Sequence, residues 1–191
     1  MATVKSWTYG LLFVACLWAA TAISQPSGVR AKDDTGAIVE LATPARRIVS
    51  LAPHATELLF AAGAGGSVVA VVERSDHPRE ARALPVIGDV QTLDLERIVA
   101  LKPDLVVTWP YTTPAQVARL KARGIAVYTT DPAHVEGIAD NIVALGALSG
   151  TSETAIASAA ALRARIARQQ AAAAGKPVLR EISLGLAAGS V

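Results

Sequence analysis

Two aromatic rings separated by one proline, Trp109-Pro110-Tyr111, stand out among the residues whose types could recognise a ligand. Rings so spaced can offer a flat apolar platform to a large molecule, or can cover an exposed edge of the core. His54, His77 and His134 could ligate a metal, but no two share the short spacing of a metal site, and a solvated loop histidine is the plainer reading. Arg74 could pair with an anionic group on a ligand or serve as a surface arginine. Glu73, Asp76 and Asp89 add acid and base candidates, without a nucleophile and an oxyanion site to accompany them. The sequence has no G-x-S-x-G elbow and no Walker motif, and Gly63-Ala64-Gly65-Gly66 follows a helical pattern where a dinucleotide loop would follow a strand.

The elements that must position these residues are legible as an alternation. Short β-branched runs at Ile48 to Leu51, Val68 to Val72, Val86-Ile87, Leu105 to Thr108 and Ile125 to Thr129 read as strands. Helical segments between them carry start and stop signals: His54 to Ala62 before Gly63, a helix beginning at Pro78 behind Asp76, Asp94 to Leu101 before Lys102-Pro103, and Thr113-Pro114 to Gly124. Strand and helix in strict alternation predict parallel strands with right-handed crossovers, an α/β fold with a doubly wound parallel sheet. A small hairpin, Val29 to Leu41 with its turn at Asp34-Thr35-Gly36, precedes that sheet as an edge feature. Two helices follow it, Val135 to Leu148 stopped by Gly150, and Ser152 to Ala174, about 34 Å long at 1.5 Å per residue. Ile156, Ala159, Leu162 and Ile166 are expected to form the packed face of the long helix, with Arg163, Arg165 and Arg168 around the rest.

In an open parallel sheet the ligand crevice lies beyond the carboxyl ends of the strands. The residues that follow the five runs are therefore the site candidates: Pro53, His54 and Thr56; Glu73, Arg74, Ser75 and His77; Asp89 and Gln91; Trp109, Pro110 and Tyr111; Asp131 and His134.

Composition narrows the class. Of the 191 residues 52% are hydrophobic and 4% aromatic, and 18 basic against 16 acidic side chains leave +2 with no basic block, which argues against a nucleic-acid partner. Residues 1–24 read as a secretory signal peptide: Lys5, an apolar run from Gly10 to Ile23 too short for a membrane span, and small residues at Ala20-Thr21-Ala22 or Ala22-Ile23-Ser24. Its removal takes away the one cysteine, Cys16, and leaves Phe60, Trp109, Tyr111 and Tyr128 as the aromatics. Phe13 to Cys16 resembles a lipoprotein box, but Leu17-Trp18-Ala19 stays apolar where a lipoprotein turns polar.

Three stretches carry a resemblance beyond these patterns: Arg47-Ile-Val-Ser-Leu-Ala-Pro-His-Ala-Thr-Glu57, Ser75-Asp-His-Pro78, and Leu95-Glu-Arg-Ile-Val-Ala-Leu-Lys-Pro-Asp-Leu-Val106. Over about Val29 to Lys176 the chain resembles the cobalamin and iron-complex substrate-binding proteins of ABC importers. The resemblance implies a periplasmic receptor of two α/β lobes joined by one rigid helix, with no catalysis, no cofactor of its own, and a small-molecule chelate containing cobalt or iron in the cleft. It further implies docking on an inner-membrane ABC permease through Glu96 and a ligand contact at Trp109; with the strand-end positions above, ligand contacts are expected at Pro53, His54, Arg74, Trp109 and Tyr111, in a chain expected to be a monomer. Trp109 matches a ring of the cobalamin receptor, whereas Arg74 and Val90 stand where that receptor has aromatics. On this reading residues 25–150 are the first lobe, 151–175 the connecting helix and 176–191 the start of a second lobe cut short near Pro177. A metal receptor built on the three histidines and a small α/β hydrolytic enzyme are the competing classes, separable by zinc titration and by activity screens of Asp and His variants.

Overall fold

The computed structural model describes residues 28–89 and 93–174. Residues 1–24, read as a signal peptide, Val90, Gln91 and residues 175–191 lie outside it. Four parallel strands form the central sheet: β3 (Ile48–Ser50), β4 (Val68–Val71), β5 (Leu105–Thr108) and β6 (Ala126–Thr129), preceded in the chain by the antiparallel hairpin β1 (Val29–Lys32) and β2 (Ile38–Leu41). The order across the sheet is β4-β3-β5-β6. The chain thus steps from β3 to one side and then returns past it to the other.

Every residue of β3 and β5 is buried, because helices cover both faces. Alternate residues divide accordingly. Ile48, Leu105, Val107 and Tyr128 face α1 (Pro53–Ala61), α4 (Val135–Ser149) and α5 (Ser152–Ala174); Val49, Val106 and Val127 face α2 (Leu95–Ala100) and α3 (Pro114–Lys121). The predicted caps form: Asp94 accepts from the Arg97 N–H at 2.9 Å, and Thr113 and Gln116 make a reciprocal capping box with Pro114 at the first helical position.

Three expectations change. Val86-Ile87 makes one parallel bridge to Val71 and no strand, since Pro85 precedes it and Gly88, at φ 125°, turns the backbone away. The helix expected at Pro78 is a short 3-10 turn, Arg79–Ala83, because Leu84 before Pro85 must be extended. On α5 the buried stripe is Ala155 and Ala159, with Leu162 packed beside it, while Ile156 is 56% exposed. Only small side chains fit there, since α4 presents Gly146 to Ala155 at close range.

Gly150 ends α4 in the left-handed conformation, φ 74°, and α5 returns antiparallel along α4. Arg163 pairs with Asp140, and Gln170 reaches Glu136 in the first turn of α4 at 3.2 Å. The carboxyl end of α5 therefore arrives at the same end of the molecule as the carboxyl ends of the strands.

Candidate functional site

The chain enters α1 directly from β3. Ala52 is extended, Pro53 opens the helix, and the Thr56 hydroxyl donates to Ser50 Oγ at 2.9 Å, tying the first turn to the strand. This leaves His54 little freedom at the strand's carboxyl end. After β5, the Thr112 N–H donates to the Trp109 carbonyl at 3.0 Å, closing a tight turn around Pro110 and Tyr111, and the Thr108 and Thr112 hydroxyls bond to each other beneath it. The turn brings the two rings to a centroid separation of 4.5 Å. The His54 ring lies 5.3 Å from that of Trp109. The three rings form one contiguous cluster, tilted by 59° between His54 and Trp109 and by 40° between Trp109 and Tyr111, and Tyr111, 73% exposed, is its outer member.

β6 supplies the remaining wall. Thr130, the residue after it, donates its N–H to the Thr108 carbonyl at 2.8 Å, and its hydroxyl meets His54 Nε2 at 2.9 Å. His54, Trp109, Pro110, Tyr111, Thr130, Asp131 and Pro132 line an open depression of about 600 Å³. It sits outside β3 and β5, where the winding direction reverses, the place an open parallel sheet reserves for a ligand. The Trp109 indole N–H has no acceptor among the described residues, so packing between its ring neighbours holds that side chain.

Burial depresses the basicity of His54; the carboxylates of Glu57 and Asp131 oppose this but are the smaller effects. The imidazole is accordingly neutral at pH 7. Since the unfolded chain binds a proton more readily, stability is expected to rise with pH from the native His54 value up to the ordinary value near 6.5 and to level off above it. Denaturant titrations across that window check this, and His54→Gln should flatten the rise.

The other sequence-derived candidates are placed apart. Pro53 starts α1 and orients His54 without lining the depression. Arg74, exposed and in the left-handed region at φ 64°, follows β4 on the far side of β3 and does not reach the platform. Glu96 is exposed in the first turn of α2, where it also complements the helix dipole. His77 and His134 are exposed loop residues, and no group of three or more metal-ligating side chains occurs among the described residues. Thr130 and Pro132 were not singled out from the sequence; their signal is their position at the end of the last β-branched run.

A doubly wound α/β lobe with a ring-lined depression at its switch point has the architecture of a ligand-binding lobe. The chain belongs to the periplasmic binding protein family, whose profile matches residues 48–186. It is 44% identical over 124 residues to a vitamin B12-binding protein of Vibrio campbellii and 43% identical to one of Vibrio cholerae, covering 64% of this chain and 45% of each relative. The structure of the periplasmic vitamin B12 binding protein of Vibrio cholerae superposes with a TM-score of 0.66 at 41% identity, over 69% of this chain and 52% of that one. A periplasmic heme binding protein from Pseudomonas aeruginosa gives a TM-score of 0.60 at 28% identity, over 70% and 50% respectively. The chain spans about half the length of the curated relatives it matches.

Proposed function

We propose that this chain contributes the first lobe of the substrate-binding component of an ABC importer, and that its ligand is cobalamin. The observation that carries the reading is the cluster of three rings, His54, Trp109 and Tyr111, at the switch point, an aromatic wall against which the apolar part of a large macrocycle can pack. The relatives named for vitamin B12 are more similar to this chain than the heme-binding neighbour, which favours a corrin over a porphyrin. The family is one of binding proteins, and the reading includes no catalysis.

The depression is open, so a corrin seated on it keeps much of its surface in water and the entropy cost of association is poorly offset. The expected dissociation constant for this chain alone is about 10 μM or weaker, near −7 kcal/mol. Calorimetric titration with cyanocobalamin, with haemin in parallel, tests it. A submicromolar constant would contradict the one-sided platform, and haemin binding without cobalamin binding would reassign the ligand.

Export to the periplasm is part of the proposal. It rests on Lys5, the apolar run and the small residues after it, and cleavage would leave a mature chain starting near Ile23 or Gln25. Glu96 is the proposed contact to the permease, being an exposed carboxylate at a helix start. In an importer carrying this lobe, Glu96→Ala should slow uptake of labelled cobalamin and leave its affinity for the receptor unchanged. Loss of ligand affinity instead would refute the docking role. α5 is the proposed connecting helix of residues 151–175.

A further inference from the structure

The wall of the depression formed by Thr130, Asp131 and Pro132 is held from outside the parallel sheet. Asp34, in the turn of the β1–β2 hairpin, accepts the Asp131 N–H at 2.6 Å through Oδ2, and the same oxygen accepts from Asn141 Nδ2 at 2.8 Å. Asn141 is in turn fixed by the Tyr128 hydroxyl, which donates to its Oδ1 at 2.7 Å, and both residues are buried to 1% exposure. Burial first, then the carboxylates of Asp34, Asp33 and Asp140, push the Tyr128 hydroxyl pKa upward, so it remains a donor. The residue before Thr130 is gripped as well: the Thr129 N–H donates to Asp33 Oδ2 at 3.3 Å, and the Thr129 carbonyl accepts from the Asp34 N–H at 3.1 Å. Asp33 itself closes the hairpin turn, accepting from the Thr35 N–H at 3.0 Å and the Ala37 N–H at 2.9 Å. On both sides of Thr130, then, the backbone is bonded to one small hairpin, and the Thr130 hydroxyl is the group that meets His54.

We propose that Asp34 is a positioning residue of the ligand platform: by binding the Asp131 N–H it fixes the loop whose Thr130 hydroxyl orients the His54 ring against Trp109. The hairpin thereby positions the site, although none of its residues lines the depression. This rests on the platform being the ligand site. Without the Asp34 carboxylate the Asp131 N–H loses its acceptor, the loop moves, and His54 gains solvent and rotational freedom.

The test uses the full chain with three variants and two readouts. Asp34→Ala is expected to bring the His54 pKa, followed by proton NMR, back up toward its ordinary value, and to weaken cyanocobalamin binding roughly five-fold, a size typical of coupling between groups in one network. Asp34→Asn keeps an acceptor oxygen in place and should restore both. Thr130→Val breaks the last link without touching the hairpin and should reproduce the affinity loss, which keeps the test open if Asp34→Ala does not fold. An unchanged His54 pKa in Asp34→Ala, an Asn variant that behaves like the Ala variant, or a Thr130→Val protein with wild-type affinity would each overturn the proposal. If the wild-type chain binds no cobalamin, the NMR readout still decides whether Asp34 positions His54, so failure of the ligand reading is distinguishable from failure of the relay.

Discussion

Replacing Trp109 with alanine is expected to remove cobalamin binding altogether at accessible concentrations. Trp109 is the middle ring of three, with His54 at 5.3 Å and Tyr111 at 4.5 Å, so its loss deletes the centre of the surface and frees both neighbours. A central aromatic anchor of this kind costs about 2 to 4 kcal/mol on truncation, and with a starting affinity near 10 μM the remainder falls to the millimolar range. Calorimetry with cyanocobalamin measures it, and Trp109→Phe should keep a substantial part of the affinity because a flat ring remains. Tyr111→Ala should cost less, since Tyr111 stands at the solvent end of the row. An alanine variant that binds like the parent would place the ligand elsewhere on the lobe.

The second large effect is on stability. Gly146→Ala exchanges a poor helix former for the best one and should by propensity add about 1 kcal/mol. The structure predicts the opposite sign. A Cβ at Gly146 would stand 2.1 Å from the Cβ of Ala155, a methyl on a helical backbone that cannot rotate aside, so α4 and α5 must separate. Overpacking of this kind costs about 1 to 3 kcal/mol or more, and Ala155 and Ala159, the buried stripe of α5, lose contact as the helices part. The expected result is a net loss of about 2 kcal/mol in chemical denaturation, with the double variant Gly146→Ala, Ala155→Gly recovering part of it. Equal or greater stability in the single variant would mean that the two helices do not pack at this spacing.

These two residues also mark how far the sequence could be read. Trp109 and Tyr111 were legible as a ring pair after a β-branched run, because that run, the proline between the rings and the Thr113-Pro114 helix start are all local signals. His54 was legible on the same grounds. The Gly146 contact was not, since a glycine inside a helical pattern carries no mark of what approaches it, and the expected face of α5, right at Ala159 and Leu162, placed Ile156 where Ala155 is buried. Strand order was equally out of reach: nothing in the local pattern says that β4 and β5 lie on opposite sides of β3, which sets Arg74 apart from the loop of Trp109 and Tyr111. Asp34 read simply as a turn former, and Asp33 carried no signal at all. Their bonds to Thr129, Asp131 and Asn141 join positions about a hundred residues apart, and only the folded chain brings them together.

The three rings and their threonine hang from the ends of three different strands, β3, β5 and β6, while the sheet below them is closed by a buried core on both faces. Substitutions among the exposed residues of one connecting loop can therefore accumulate without disturbing strand pairing, whereas a change to His54, Trp109 or Thr130 is felt by the loops these residues touch. Ligand preference is thus a property of the loops, one that can vary over a constant sheet.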